Sequence, residues 1–326
     1  MFNIRFISGS TLLQQGLTRM ALMVMLALTV ACSDSAPKAR KQSPSPAQSE
    51  ATQPQAPRPP KVFLWQVKSP RNTVYILGSI HLLKPSDYPL AQQINEAYDN
   101  AEKLVLEVDL GDLKSSQAQS IVLDKATAKD GKTLQDRLTP QTYELAKTKA
   151  SEIGLPIEAF SGFEPWFFSL SLVTLKLQRL DFKTEHGVDQ YFFNKATQDK
   201  KEILALETIE DQFNLFDNFS QGNQEKYIRQ TIEELDTLET SFKKIVGAWK
   251  VGDEKTLESL MFESFNDYPD LEDQIFGARN RKWMTTLEPL LQKEEDYLVI
   301  VGAGHLVGKD NVLQLLQAKG HRVQRR

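Results

Sequence analysis

The sequence predicts an α/β domain in the broad, mixed α+β sense: a central mixed β-sheet covered by helices, with a helical insertion ahead of the last strands. Three observations point there. Short, nearly continuous apolar runs recur along the chain, "TVYILG", "KLVLEV", "EILALE" and "YLVIVG", and strands covered on both faces read this way. Helix-period segments separate these runs, which suits strands linked by crossover helices. From Ile209 to about Gln292 the pattern is mainly helical.

In order, "VFLWQVK" and "NTVYILGS" read as two strands joined by the turn-forming "SPRN", hence a hairpin. "PLAQQINEAYDNAE" is a helix and "KLVLEVDL" a third strand. The region from Leu134 to Ile153 is helical in pattern, and "IEAF" after it is a short strand. "EPWFFSLSLVTLKLQRL" is a buried helix, with Pro165 near its start, where a missing N–H is tolerated. "GVDQYFFNKATQDK" is amphipathic, and "EILALET" is another buried strand. In "SFKKIVGAWKVGDEKTLESL" one helix breaks at Gly252 and Asp253 caps the next. "YLVIVGAGH", the helix "NVLQLLQAKG" and a last strand "HRVQ" complete the chain.

The composition is that of a globular protein, with 40% hydrophobic and 25% charged residues among 326. A net charge of -4 argues against a nucleic-acid partner, which favours a basic face. The N-terminus has another character. Arg5 and Arg19 precede "MALMVMLALTVA", as the charged and apolar regions of an export signal do. The run falls short of the roughly 20 residues that a membrane span needs. The single cysteine, Cys32, follows in "LTVAC". Ala31 before it resembles a bacterial lipobox, although Thr29 stands where that pattern prefers Leu. A lone cysteine has no internal disulfide partner, and lipidation gives it a purpose. Ser33, rather than Asp, resembles lipoproteins sent to the outer membrane.

The expected organisation is therefore a lipoprotein signal peptide over 1–31, a Pro/Ser/Gln-rich tether over 32–60 with too little apolar surface to fold, and one domain over 61–326. The expected location is the outer membrane, on its periplasmic side, through a lipid on Cys32. A secreted protein or an inner-membrane anchor is the alternative.

Two of the four histidines share one setting: "TVYILGSIHLL" and "DYLVIVGAGHLVG" each run from a strand into Gly-x-x-His-Leu. In open α/β sheets ligands bind beyond the carboxyl ends of strands. His81 and His305 meet at one rim if their strands are neighbours and run the same way. Glu107 and Asp109 end the third strand at the same candidate rim. Two neutral imidazoles and a carboxylate suit a divalent ion such as Mn²⁺, Co²⁺ or Zn²⁺. Without a metal the same groups form a general acid–base pair. A single histidine after a strand is more often structural, and Gly-x-x-His alone is a weak pattern. No HExxH or CxxC strengthens the metal reading. Glu207, ending "EILALE", points to the same rim or else caps a helix. "GARNRKW" offers Arg279 and Asn280 as candidates: the arginine binds a substrate carboxylate or neutralises a developing oxyanion, or else the segment is a solvated charged face. His186 reads as a loop residue and His321 as a structural residue of the last strand. No Gly-x-Ser-x-Gly elbow is present.

The blocks "YILGSIHLLKPSDYPL", "LVLEVD", "EPW", "GVDQYFFNKA", "LALETIEDQ", "AWKVGD", "ARNRKW" and "VGAGHLVGKDNVLQLLQAKG" together resemble the TraB/GumN family in its YbaP-like bacterial branch. They run in the family's order from Val62 to the C-terminus. Ser79 stands where the family's first motif usually has Thr. The resemblance implies an erythromycin esterase/ChaN-like fold and a link to the Tiki metal-dependent proteases. The family's two Gly-x-x-His motifs and glutamate fall on His81, His305 and Glu107, and other recurrent positions on Glu207, Arg279 and Asn280. The expected function is a metal-dependent hydrolase, foremost a peptidase. The competing readings are a non-catalytic lipoprotein that binds a ligand, peptide or haem, and a metal-free esterase-like hydrolase.

Overall fold

The computed structural model describes residues 61–216, 221–265 and 269–326. The export signal, Cys32 and the tether lie outside the described residues. Six strands form one sheet: β1 (Leu64–Lys68), β2 (Thr73–Ser79), β3 (Lys103–Leu106), β4 (Glu202–Ala205), β5 (Tyr297–Gly302) and β6 (Val323–Arg325). Their order is β4-β3-β5-β2-β1-β6. β4, β3, β5 and β2 pair in parallel, whereas β1 runs antiparallel to both β2 and β6.

The two strands that carry the Gly-x-x-His motifs are thus central and adjacent. Ser79 is level with Gly302, and Gly78 with Val301. Their apolar runs are buried on both sides: Ile76, Leu77, Leu298, Val299 and Ile300 have no exposed surface. That is why both strands lack a polar alternation.

The helices are α1 (Gln92–Asn100), α2 (Ser116–Ala126), α3 (Pro140–Glu152), α4 (Pro165–Arg179), α5 (Val188–Asp199), α6 (Ile209–Phe213), α7 (Gln221–Glu234), α8 (Leu238–Lys250), α9 (Glu254–Phe262), α10 (Pro269–Glu272), α11 (Ala278–Leu290) and α12 (Val312–Ala318). The helical insertion lies between β4 and β5. α8 stops at Gly252, whose φ of +64° suits glycine, and the Asp253 carboxylate caps α9 by accepting from the Thr256 N–H at 3.0 Å. Among the described residues no helix is long and apolar enough to cross a membrane.

Five local expectations are corrected. "IEAF" is a 3-10 turn, Ile157–Phe160, and takes no part in the sheet. The stretch from Leu134 to Ile153 is broken: a short 3-10 turn precedes α3, which starts at Pro140 with Thr139 as its cap. β4 is only partly buried, because it is an edge strand. β3 ends at Leu106 rather than Leu110, since Glu107 turns its side chain across to the Gly302 N–H. His321 precedes β6 instead of lying in it.

Candidate active site

Parallel pairing in register brings the ends of β2, β3, β4 and β5 to one rim, and the residues that follow them meet there. Glycine makes the first approach possible. A Cβ on Gly78 would lie 3.1 Å from the Ala303 Cα, so the first Gly-x-x-His turn packs directly on the second. The indole N–H of Trp249 on α8 donates to the Gly78 carbonyl at 2.7 Å and closes this seam from the insertion.

At the centre lies the Arg279 guanidinium. Its Nη2 donates to Glu107 Oε2 at 2.7 Å and to Glu207 Oε1 at 2.6 Å. Its Nε donates to Glu207 Oε2 at 3.2 Å. Its Nη1 donates to the Ile275 carbonyl at 3.2 Å and to His305 Nε2 at 3.1 Å. A π-helical segment, Asp273–Gly277, leads directly into this turn of α11, and such segments frequently accompany functional sites. The Trp283 N–H completes Glu207 by donating to its Oε2 at 3.0 Å. Glu107 Oε1 accepts from the Gly302 N–H at 2.7 Å.

The tautomer of His305 follows from its neighbours. Arginine only donates, so Nε2 is the acceptor and Nδ1 carries the proton, which goes to Asn280 Oδ1 at 2.6 Å. Asn280 is oriented in turn by donating its amide to the Asp310 carbonyl at 3.0 Å. Burial, with the Arg279 charge adding to it, holds the His305 pKa well below the usual histidine range.

His81 is arranged differently. Its Nδ1 lies 2.6 Å from Asp189 Oδ2, and Asp189 Oδ1 accepts from Ser79 Oγ at 2.9 Å. Asp189 reaches it because α5 docks flush on the loop: a Cβ on Gly187 would sit 2.2 Å from the His81 carbonyl oxygen, and the Val188 N–H donates to the Ile80 carbonyl at 3.1 Å. His81 Nε2 is buried and has no hydrogen-bond partner. Burial works against the His81 charge, but the charge and hydrogen bond of Asp189, with help from Glu107, outweigh it and raise its pKa. Burial also raises the Glu107 pKa, against the pull of Arg279. For Arg279 itself, burial is outweighed by Glu207 and Glu107, and the guanidinium is held charged.

Gly187→Ala is expected to move α5 off the His81 backbone. The φ of Gly187 is -59°, so steric overlap rather than strain decides, and overpacking of this kind costs about 1–3 kcal/mol. A denaturant midpoint equal to wild type would show that α5 does not need this close approach.

The nominated residues His81, Glu107, His305, Glu207, Arg279 and Asn280 are thus gathered at one buried place. Glu207 is not a helix cap: Thr208 caps α6 instead. Arg279 is not on a solvated face either, being only 4% exposed. Asp109 makes no contact with the charged cluster, accepting instead from the Gly111 N–H at 2.7 Å, but it lines the same cavity as Glu207. His186 belongs to a 3-10 turn, and its carbonyl accepts from the Tyr88 hydroxyl. Two residues escape a sequence reading. Asp189 lies 108 positions from His81, and its one local signal is an acid in the first turn of a helix that begins at a glycine. Trp283 reads as an ordinary core residue of α11. A cavity of about 450 Å³ reaches the cluster at Glu207, with Asp109, Asp112, Thr208 and Glu210 on its walls.

Imidazole and carboxylate are donor types that divalent cations take. Two buried carboxylates, Glu107 and Glu207, share the Arg279 guanidinium, and a third, Asp189, pairs with His81. Both imidazoles have Nδ1 tied to a side-chain oxygen, as the outer partners of metal-bound histidines do. Among the described residues no three such side chains converge as a ligand set, and Arg279 takes up His305 Nε2 and Glu107 Oε2.

These features define an α/β protein with a buried, charged centre at the carboxyl rim of its sheet. The chain belongs to the TraB/PrgY/gumN family, whose profile matches residues 63–325. It is 23% identical over 243 residues to the Escherichia coli (strain K12) protein YbaP, covering 74% of this chain and 87% of that one. A Treponema pallidum (strain Nichols) protein is 22% identical over 276 residues, 79% and 80% of the two chains. A metalloprotease TIKI homolog of Amphimedon queenslandica is 45% identical over 65 residues, 19% of this chain and 12% of that one. No solved structure matches.

Proposed function

We propose that this protein is a metal-dependent hydrolase, foremost a peptidase, held by a lipid on Cys32 at the outer membrane with its domain facing the periplasm. One observation carries the catalytic part: His81 Nε2 is buried without a partner while Nδ1 is held by Asp189. A buried polar atom left this way costs about 1–3 kcal/mol unless function uses it. The family and the short match to a metalloprotease homolog support the reaction class.

His81, His305 and Glu107 would hold the ion, His305 by exchanging the Arg279 N–H at its Nε2 for it, and the ion would supply Lewis acidity and a bound water of lowered pKa. The chain's other residues have separate tasks. Glu207 grips Arg279 through two oxygens and keeps its fork fixed. The Arg279 charge, whose five N–H groups are already engaged, would then stabilise through space the oxyanion of a carbonyl under attack. Trp283 and Phe276, with ring centroids 4.4 and 5.1 Å from that of His305, exclude water from one side. The cavity at Glu207 admits the substrate.

The test is metal content. Full-length protein is loaded with Mn²⁺, Co²⁺ or Zn²⁺, freed of excess and compared by elemental analysis with the His81→Gln/His305→Gln double variant. About one equivalent in wild type and none in the variant is expected, followed by cleavage in a peptide-library screen. Equal metal in both proteins rejects the site. A second reading has its own observation: Arg279 already neutralises Glu107 and takes up His305 Nε2. In that reading His81 is a metal-free general base, and turnover that survives exhaustive chelation selects it.

A further inference from the structure

The two Gly-x-x-His histidines are alike in sequence but not in support. His305 has a neutral amide at Nδ1 and a guanidinium at Nε2. Its lone pair is occupied and its tautomer is set from both sides. His81 has a carboxylate at Nδ1 and nothing at Nε2. Its tautomer is therefore set by Asp189 alone. A carboxylate only accepts, so the shared proton belongs to Nδ1 and the buried Nε2 keeps a lone pair without a partner.

The placing of Asp189 is a construction of several parts. Gly187 lets the start of α5 touch the His81 carbonyl. Asp189 lies in the first turn of that helix, where the backbone dipole favours an anion. The Ser79 hydroxyl, at the end of β2, donates to its second oxygen. The carboxylate is only 4% exposed, so water does not compete for it. Serine at position 79 keeps the hydroxyl that this contact needs.

We infer that Asp189 is the positioning residue of the site, fixing His81 as its Nδ1–H tautomer so that Nε2 is available to a ligand or a proton, with Asn280 as the neutral counterpart that serves His305. The inference rests on the reading of His81 as a working group. It does not depend on which reaction follows.

The test is long-range ¹H–¹⁵N correlation on full-length protein labelled at its four histidines, at alkaline pH with the rings neutral. The His81 signals are assigned by their loss in His81→Gln. In wild type, Nδ1 is expected protonated and Nε2 unprotonated. In Asp189→Asn the amide can also donate to Nδ1, and the population is expected to move toward the Nε2–H form. Ser79→Ala, which leaves the Asp189–His81 pair in place, is expected to keep the wild-type pattern. A wild-type Nε2–H tautomer overturns the inference whether or not the variants fold, as do unchanged His81 signals in folded Asp189→Asn. Once a substrate is in hand, kcat for Asp189→Asn should fall by about 10–100-fold with KM unchanged. If wild type cleaves nothing, the hydrolase reading fails while the tautomer result still decides this one.

Discussion

Arg279→Met is expected to lower the unfolding free energy by roughly 3–5 kcal/mol, the cost of leaving buried charge without its partner. The guanidinium serves Glu107 and Glu207 at once, with three hydrogen bonds to these two carboxylates and two more, through Nη1, to Ile275 and His305. Methionine fills much of the space but leaves both acids facing each other in a dry site. Denaturant unfolding at neutral pH measures the loss. Adding Glu107→Gln and Glu207→Gln to Arg279→Met should restore a large part of it, because neutral side chains remove the charge that needed compensation. The double and triple variants together give the coupling energy of the cluster. A single variant as stable as wild type would mean that the acids are not both charged, and the electrostatic account of the site would fall.

The second large effect is on turnover. His81→Gln should abolish metal-dependent turnover if His81 holds the ion, and lower kcat by about 10²–10⁴-fold if it instead acts on a proton in the transition state. Glutamine is chosen over alanine because His81 is buried against the loop and truncation would add a cavity to the effect. The unfolding midpoint of His81→Gln should stay within a few degrees of wild type, so that lost activity is not lost fold. His305→Gln should differ: its ring packs against Trp283 and Phe276 and accepts from Arg279, so stability and turnover should fall together. Full activity in folded His81→Gln removes this histidine from the reaction.

Much of this molecule could be read along the chain. β2 and β5 were legible because strands buried on both faces must be apolar throughout. The start of α4 at Pro165 and the break at Gly252 were legible because proline and glycine restrict or free the backbone locally. The edge position of β4 and the 3-10 turn at Ile157–Phe160 were not, because a short apolar run does not say what lies beside it. The candidate site was legible as a set of residue types after strand ends. Its wiring was not, since each decisive contact joins segments far apart: Glu107 to Gly302, Arg279 to Glu207, His81 to Asp189.

By itself, then, the sequence determined the kind of protein: an α/β domain of the TraB/PrgY/gumN family with two equivalent Gly-x-x-His turns. Periodicity and backbone-limited residues are local properties and survive without knowledge of partners. Only the tertiary structure decided that β2 and β5 are parallel neighbours, that Arg279 is buried among the acids, and that one histidine is supported by a carboxylate and the other by an amide. Hydrogen bonds and buried charges are pairwise, and a pair is settled only when the fold brings both members to the same place.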